Sequence, residues 1–183
     1  MISSANPAIQ RRDFAADETN RGPFIPTTRS NNPKAGQWTN RMSRNMIADY
    51  KRFLMTDGEG IRCSLYVSGC PFHCEECYNT SIWDFQAGHE YNDKLEAQIM
   101  DDLSQSYVQG ITFLGGEPLL NTGVLLPLAR KNTRTVQVIT KDIWCWTGYT
   151  WEELMREGES PDKARAARTD RHSRGRPLYQ RIT

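Results

Sequence analysis

Cys70-Pro71-Phe72-His73-Cys74-Glu75-Glu76-Cys77 places three thiols within eight residues at C-x3-C-x2-C spacing, directly after an apolar run that ends Val67-Ser68-Gly69. Three thiolates so close together cannot share one face of a regular helix or strand. A loop can wrap them around a single soft metal centre, and thiolates suit both zinc and iron–sulfur clusters. Structural zinc takes four closed ligands. A cluster left with one open iron could instead bind a substrate or cofactor, which makes the missing fourth ligand informative. His73 sits inside the loop, but its neighbour Cys74 makes joint coordination awkward, so it reads as a loop residue facing a cofactor edge or solvent.

On the amino-terminal side, Ile61, Cys63, Leu65 and Val67 alternate with Arg62, Ser64 and Tyr66, which is the period of a strand. Cys63 then belongs to the apolar face as a small core residue. Upstream, Ile47 to Phe53 reads as a short strand and Asp57-Gly58-Glu59-Gly60 as a tight turn, with Asp57 and Glu59 as turn residues. Residues 1–31 are polar and aperiodic, and such a composition cannot offset its ordering entropy, so a disordered arm is expected. Order is expected to begin near Trp38 or Met46.

On the carboxyl side, Tyr78-Asn79, Trp83 and Phe85 lead to a turn at Gly88. Asn92 is placed to cap a helix whose Leu95, Ile99, Met100 and Leu103 share one face. Gly110 breaks the chain before a short buried strand, Ile111-Thr112-Phe113-Leu114, and Gly115-Gly116-Glu117-Pro118 follows at once. A second helix fits Thr122 to Arg130, with Pro127 in its first turns or kinking it. Lys131 to Thr140 fits neither helix nor strand. Asp142 to Trp146 reads as a strand closed by Thr147-Gly148-Tyr149, with Trp144 and Trp146 as strand packing and Cys145 inert on the opposite side. Thr150 and Glu153 have the spacing of a capping box.

This order of strands, loops and helices predicts a parallel α/β sheet. Three loops of unusual chemistry (the cysteines, Gly-Gly-Glu-Pro and Thr-Gly-Tyr) each follow a predicted strand. Ligands of such folds bind at the carboxyl ends of the strands, so these loops are expected to converge on one site.

The length of 183 residues suffices for one domain with a real core. A net charge of +1 gives no bulk electrostatic case for nucleic acid or a membrane surface. No apolar run approaches the ~20 residues that span a bilayer, and no signal-peptide pattern opens the chain. A cytoplasmic protein is the expectation. Five cysteines, an odd number with three crowded together, point to metal binding in a reducing compartment rather than to a disulfide framework.

With both loops placed, the chain resembles the radical S-adenosylmethionine superfamily. The cysteine loop matches its cluster motif, including an aromatic residue, Tyr78, after the last cysteine, and Gly115-Gly116-Glu117-Pro118 matches its GGEP turn. The narrower likeness, in the runs DGEGIRCSLYVSGC, CYN, LEAQIMDDL, QGITFLGGEPLLNTG and KDIWCWTGYTWEEL, is to the activating enzymes of anaerobic ribonucleoside-triphosphate reductase, the Gram-positive form nearest. It spans roughly residues 32–163, weakening at Lys131–Thr140.

The resemblance implies a small, single-domain partial (β/α) barrel. It implies that Cys70, Cys74 and Cys77 ligate three irons of a [4Fe–4S] cluster and that S-adenosylmethionine chelates the fourth. Gly115 and Gly116 would let the backbone approach the methionine moiety, and Tyr78 and Pro118 would join them as cofactor-binding residues. Glu117 would lie near the cofactor's ammonium group, as a direct partner or by shaping the turn. Reductive cleavage would give a 5′-deoxyadenosyl radical that installs a glycyl radical on the reductase. The electron would come from a donor protein of the flavodoxin or thioredoxin type. A zinc-binding interaction module is the competing reading of the same thiols.

The chain departs from that family after the Trp-Glu-Glu-Leu helix, where relatives continue with an apolar strand. Here Ala164 to Thr183 holds six arginines and one acid and cannot make a buried strand. Its residues are compatible with codons whose +1 reading resembles the missing strand, as are those of Lys131–Val138 with a normal helix end. The expected organisation is therefore an arm at 1–31, an activase domain at 32–163 that lacks its last strand, and an aberrant basic tail at 164–183 from a frameshift. An inactive, truncated activase is the corresponding alternative.

Overall fold

The computed structural model describes residues 41–135, 141–155 and 161–168. The proposed arm at 1–31, most of the tail and the end of the Lys131–Thr140 stretch lie outside the described residues. The described chain forms a mixed α/β domain around a five-stranded sheet of order β3-β1-β2-β4-β5. The strands are β1 (Met46–Leu54), β2 (Ile61–Val67), β3 (His89–Glu90), β4 (Val108–Gly115) and β5 (Asp142–Cys145).

The sheet is not wholly parallel. β2, β4 and β5 run parallel, whereas β1 pairs antiparallel with both β2 and β3. The reason is connection length. Only residues 55–60 join β1 to β2, and a parallel crossover needs a dozen residues or more. The parallel pairs have their crossovers. Helix α1 (Asp93–Ser104) lies between β2 and β4, and α2 (Thr122–Thr135) between β4 and β5. Asn92 caps α1 as expected, its side chain accepting from the Leu95 amide at 3.0 Å. A reciprocal capping box opens α3 (Trp151–Leu154): the Glu153 amide donates to the Thr150 hydroxyl, and the Thr150 amide donates to the Glu153 carboxylate.

Two sequence expectations change. Gly110 does not precede a strand but lies inside β4, because a Cβ there would sit 2.0 Å from the Asp142 carbonyl oxygen of the next strand. Lys131 to Thr135 is helical, the last turn of α2, and Pro127 is accommodated within that helix rather than ending it.

The two faces of the sheet differ. Cys63, Leu65, Val67, Ile111, Phe113, Ile143 and Cys145 form the helix-packed face, buried with Ile99 and Leu103 of α1 and Val124, Leu125 and Leu128 of α2. The opposite face carries Arg62, Tyr66, Thr112 and Trp144, and the loop between β1 and β2 folds over it. The Thr112 hydroxyl donates to the Asp57 carbonyl at 2.9 Å, and the Tyr66 hydroxyl to the Asp57 carboxylate at 2.8 Å. Arg62 is fully buried there. Its guanidinium donates to Thr112, to the Glu59 carbonyl and to the Ile111 carbonyl, lies over the Trp144 ring, and comes within 2.6 Å of Asp142, off the hydrogen-bonding direction. Asp57 and Glu59 are thus turn residues that anchor this loop, as their spacing predicted.

Helix α4 (Pro161–Arg168) packs on α2, from its start at Thr122, and on the 3-10 turn Pro118–Leu120, with Lys163, Ala166 and Ala167 buried. Packing therefore continues into the segment assigned above to the basic tail. β5 is the edge of the sheet among the described residues. No helix of the described residues is long and apolar enough to cross a membrane.

Candidate functional site

Three loops leave the carboxyl ends of β2, β4 and β5, and the hydrogen bonds between them show that they converge. The Gly116 amide donates to the Val67 carbonyl and the Glu117 amide to the Gly69 carbonyl, each at 2.8 Å. The Trp146 amide extends the β4–β5 ladder by donating to the Phe113 carbonyl at 2.9 Å.

The glycines of this junction are there for room. A Cβ on Gly116 would lie 2.4 Å from the Gly69 carbonyl oxygen. Gly115 has φ +104°, a conformation that disfavours any side chain, and is packed against Tyr66 and Val67. Gly69, at φ +88°, faces the Phe85 ring at 2.2 Å from its ideal Cβ position. Close approach of backbone to backbone, rather than to a ligand alone, already requires Gly-Gly here.

Glu117 is buried, and its carboxylate is a three-way junction. It accepts from the Leu119 amide at 2.9 Å, the Thr147 hydroxyl at 2.6 Å and the Gly148 amide at 2.8 Å. Burial pushes its pKa up to about 7, against these three donors and the nearby Lys163 charge, which pull it down. Of the two roles the resemblance left open, this geometry is that of shaping the turn. No feature of the sequence distinguished the two, because Thr147 and Gly148 lie thirty residues away.

The cysteine loop is bent by two non-glycine residues in the left-handed region, His73 (φ 47°) and Glu76 (φ 59°). It is tied down by the Cys70 amide donating to the Trp83 carbonyl at 3.0 Å and by a turn from Cys77 to Cys74. His73 is exposed and stacks on Trp83 at 4.4 Å between centroids. Inside the loop, Phe72 is buried against Tyr149 edge-on at 5.0 Å. Tyr78 is fully exposed. Cys63 is buried in the core, as its strand parity predicted, and Cys145, expected only to lie opposite Trp144 and Trp146, is buried there too.

Cys70, Cys74 and Cys77 form no disulfide, and each is partly buried. Burial, then the nearby Glu117 carboxylate, pushes the Cys70 thiol up to about 12, while a hydrogen bond from the Phe72 amide opposes the rise. An uncoordinated Cys70 is therefore a neutral thiol, and metal binding must release its proton. Among the described residues no three Cys, His, Asp or Glu side chains are gathered around one point as a single ion requires. A four-iron cluster takes each thiolate on a different iron, so three partly buried thiols on one bent loop suit it. Among the described residues, the indole N–H groups of Trp83 and Trp146, beside these loops, are buried without an acceptor, a need that an acceptor-rich group bound here would meet.

Comparison with known proteins agrees with this site. A family model described as a 4Fe-4S single cluster domain matches residues 56–168, which takes in all three loops and α4. The anaerobic ribonucleoside-triphosphate reductase-activating protein of Pasteurella multocida (strain Pm70) is 44% identical over 113 residues, 58% of this chain and 70% of that protein. The protein of the same name from Haemophilus influenzae is 43% identical over 116 residues, covering 60% and 74%. That of Escherichia coli (strain K12) is 39% identical over 102 residues, covering 55% and 66%. The fold and the thiol loop define an iron–sulfur domain of the single-cluster class. Within it, this chain belongs to the family of anaerobic ribonucleoside-triphosphate reductase-activating proteins.

Proposed function

We propose that the chain is a radical S-adenosylmethionine activase whose substrate is anaerobic ribonucleoside-triphosphate reductase. Cys70, Cys74 and Cys77 would hold a [4Fe–4S] cluster, which when bound and reduced supplies the electron that cleaves S-adenosylmethionine to methionine and the 5′-deoxyadenosyl radical that takes a hydrogen from a glycine of the reductase. The protein's own part is placement and exclusion of water. The Glu117 amide fixes the Gly115-Gly116 backbone beside the cysteine loop. The Glu117 carboxylate locks that turn to Thr147 and Gly148, so that the backbone which would face a bound cofactor there carries no side chain. Tyr78, fully exposed at the loop's end, is free to close over a ligand. In this reading the sheet is an opened (β/α) barrel, with its helices outside and the Arg62–Thr112–Trp144 face inside.

The observation that carries this reading is the convergence of the cysteine loop and the Gly-Gly-Glu-Pro turn through the Glu117–Gly69 bond. Its test is anaerobic. After cluster reconstitution, dithionite and S-adenosylmethionine should yield 5′-deoxyadenosine, and a triple alanine variant at Cys70, Cys74 and Cys77 should yield none. Purified protein that is colourless, binds zinc and lacks absorption near ~400 nm would instead support a zinc module. The electron donor is proposed to be a flavodoxin- or thioredoxin-type protein.

A further inference from the structure

We propose that Lys163 is a positioning residue for the cysteine loop, acting through the packed rings of Tyr149 and Phe72. The inference rests on the cluster assignment above and extends it to a helix outside the three loops.

Lys163 is 1% exposed, an unusual state for a lysine in an eight-residue surface helix. Burying an ammonium is costly unless its surroundings compensate, and Met or Leu would fill the same space more cheaply. The compensation is on the site side of the helix. Its Nζ lies 5.1 Å from the centroid of the Tyr149 ring, and the Glu117 carboxylate is close enough to feel its charge. Tyr149, 3% exposed, meets Phe72 edge to face at 5.0 Å. Phe72 cannot retreat, because its ring already leaves Gly148 no room for a Cβ, at 2.7 Å.

Phe72 is itself part of the cysteine loop, two residues after Cys70 and two before Cys74. N–H···S bonds and local charge are among the factors that set iron–sulfur potentials. A chain of contacts thus runs from Lys163 through Tyr149 to Phe72, inside the loop that carries the three cysteines. If the pillar slackens, the backbone donors and charges of the loop around the three thiols loosen, and a reduced cluster held there would lose stabilisation. The neighbouring Thr122–Asp162 hydrogen bond, at 2.5 Å, holds α4 to the start of α2 and keeps Lys163 in place.

The test compares Lys163→Met, Lys163→Arg and Tyr149→Leu after anaerobic reconstitution, with iron content, trypsin resistance and an EPR-monitored redox titration for each. The expected result is wild-type iron content and protease resistance. The midpoint should fall in Lys163→Met and Tyr149→Leu by at least a tenfold change in the reduction constant, about 59 mV for one electron. Lys163→Arg should return toward wild type. Wild-type potentials in both Lys163→Met and Tyr149→Leu overturn the proposal, as does a shift confined to Lys163→Met, which would mean that the charge acts directly and not through the rings. Loss of fold in Lys163→Met with an unshifted Tyr149→Leu overturns it too. A wild-type chain that takes up no iron overturns the cluster assignment and this proposal with it.

Discussion

The amide of Glu117 donates to the carbonyl of Gly69 at 2.8 Å, and that single bond joins the turn after β4 to the start of the cysteine loop after β2. One residue therefore faces both ways. Its backbone holds the cysteine loop, and its carboxylate holds the loop after β5 through Thr147 and Gly148.

Gly116→Ala should break this junction. Its Cβ would sit 2.4 Å from the Gly69 carbonyl oxygen, so either the turn or the cysteine loop must shift. Overpacking of this kind costs about 1–3 kcal/mol. Denaturant unfolding should show that loss, and anaerobic reconstitution should show reduced iron retention. A variant with wild-type stability and iron content would mean that the two loops are not rigidly coupled.

Glu117 makes stability depend on pH in a defined direction. Its folded pKa, about 7, lies above the ordinary 4.5, so the folded state holds the proton more tightly than the unfolded chain. Its contribution is full below pH 4.5, is lost as pH rises to about 7, and is flat beyond. The span corresponds to roughly 3 kcal/mol at about 1.4 kcal/mol per pH unit. Metal-free Glu117→Gln should lose this slope relative to wild type in urea titrations between pH 5 and 8. Parallel curves for the two proteins would show that Glu117 does not carry it.

Arg62, fully buried, should be among the most damaging positions to change. Arg62→Leu removes donors to Thr112, Glu59 and Ile111 and strands the Asp142 carboxylate. Breaking a buried pair costs about 3–5 kcal/mol, and the 19% exposure of the Asp142 side chain places this one toward the lower figure. A double-mutant cycle with Asp142→Asn gives the coupling. A loss below about 0.5 kcal/mol, typical of surface substitutions, would show that the network does not pin the β1–β2 loop.

Much of this arrangement was legible in the sequence. The helix caps at Asn92 and Thr150, the core parity of Cys63, and the three loops following three strands all rest on local patterns that the structure keeps. What escaped was non-local. The antiparallel pairing of β1 depends on which strand it meets. Gly110 looks like a breaker until Asp142 of the neighbouring strand is seen against it. Arg62 reads as the polar half of an alternation, yet it is fully buried because the β1–β2 loop folds back over it. Lys163 had no local signature, since its burial depends on Tyr149, fourteen residues earlier.

The basic segment after Lys163 yields a separate expectation. With β5 at the edge of the described sheet, a chain whose +1 frame is restored downstream of Lys163 should cover that edge. Limited proteolysis should then show slower cleavage for the restored chain, with higher cluster retention. Equal resistance and equal retention would refute the frameshift account, as would a nucleotide sequence with no family-like +1 frame.

The most direct test of the central claim is the EPR spectrum of anaerobic ribonucleoside-triphosphate reductase after anaerobic incubation with the reconstituted chain, reductant and S-adenosylmethionine. The account predicts a glycyl-radical signal that requires the chain and S-adenosylmethionine and disappears when Cys70, Cys74 and Cys77 are replaced. A signal of equal size with the cysteine-free variant, or none from a chain that carries its cluster and cleaves S-adenosylmethionine, would contradict it.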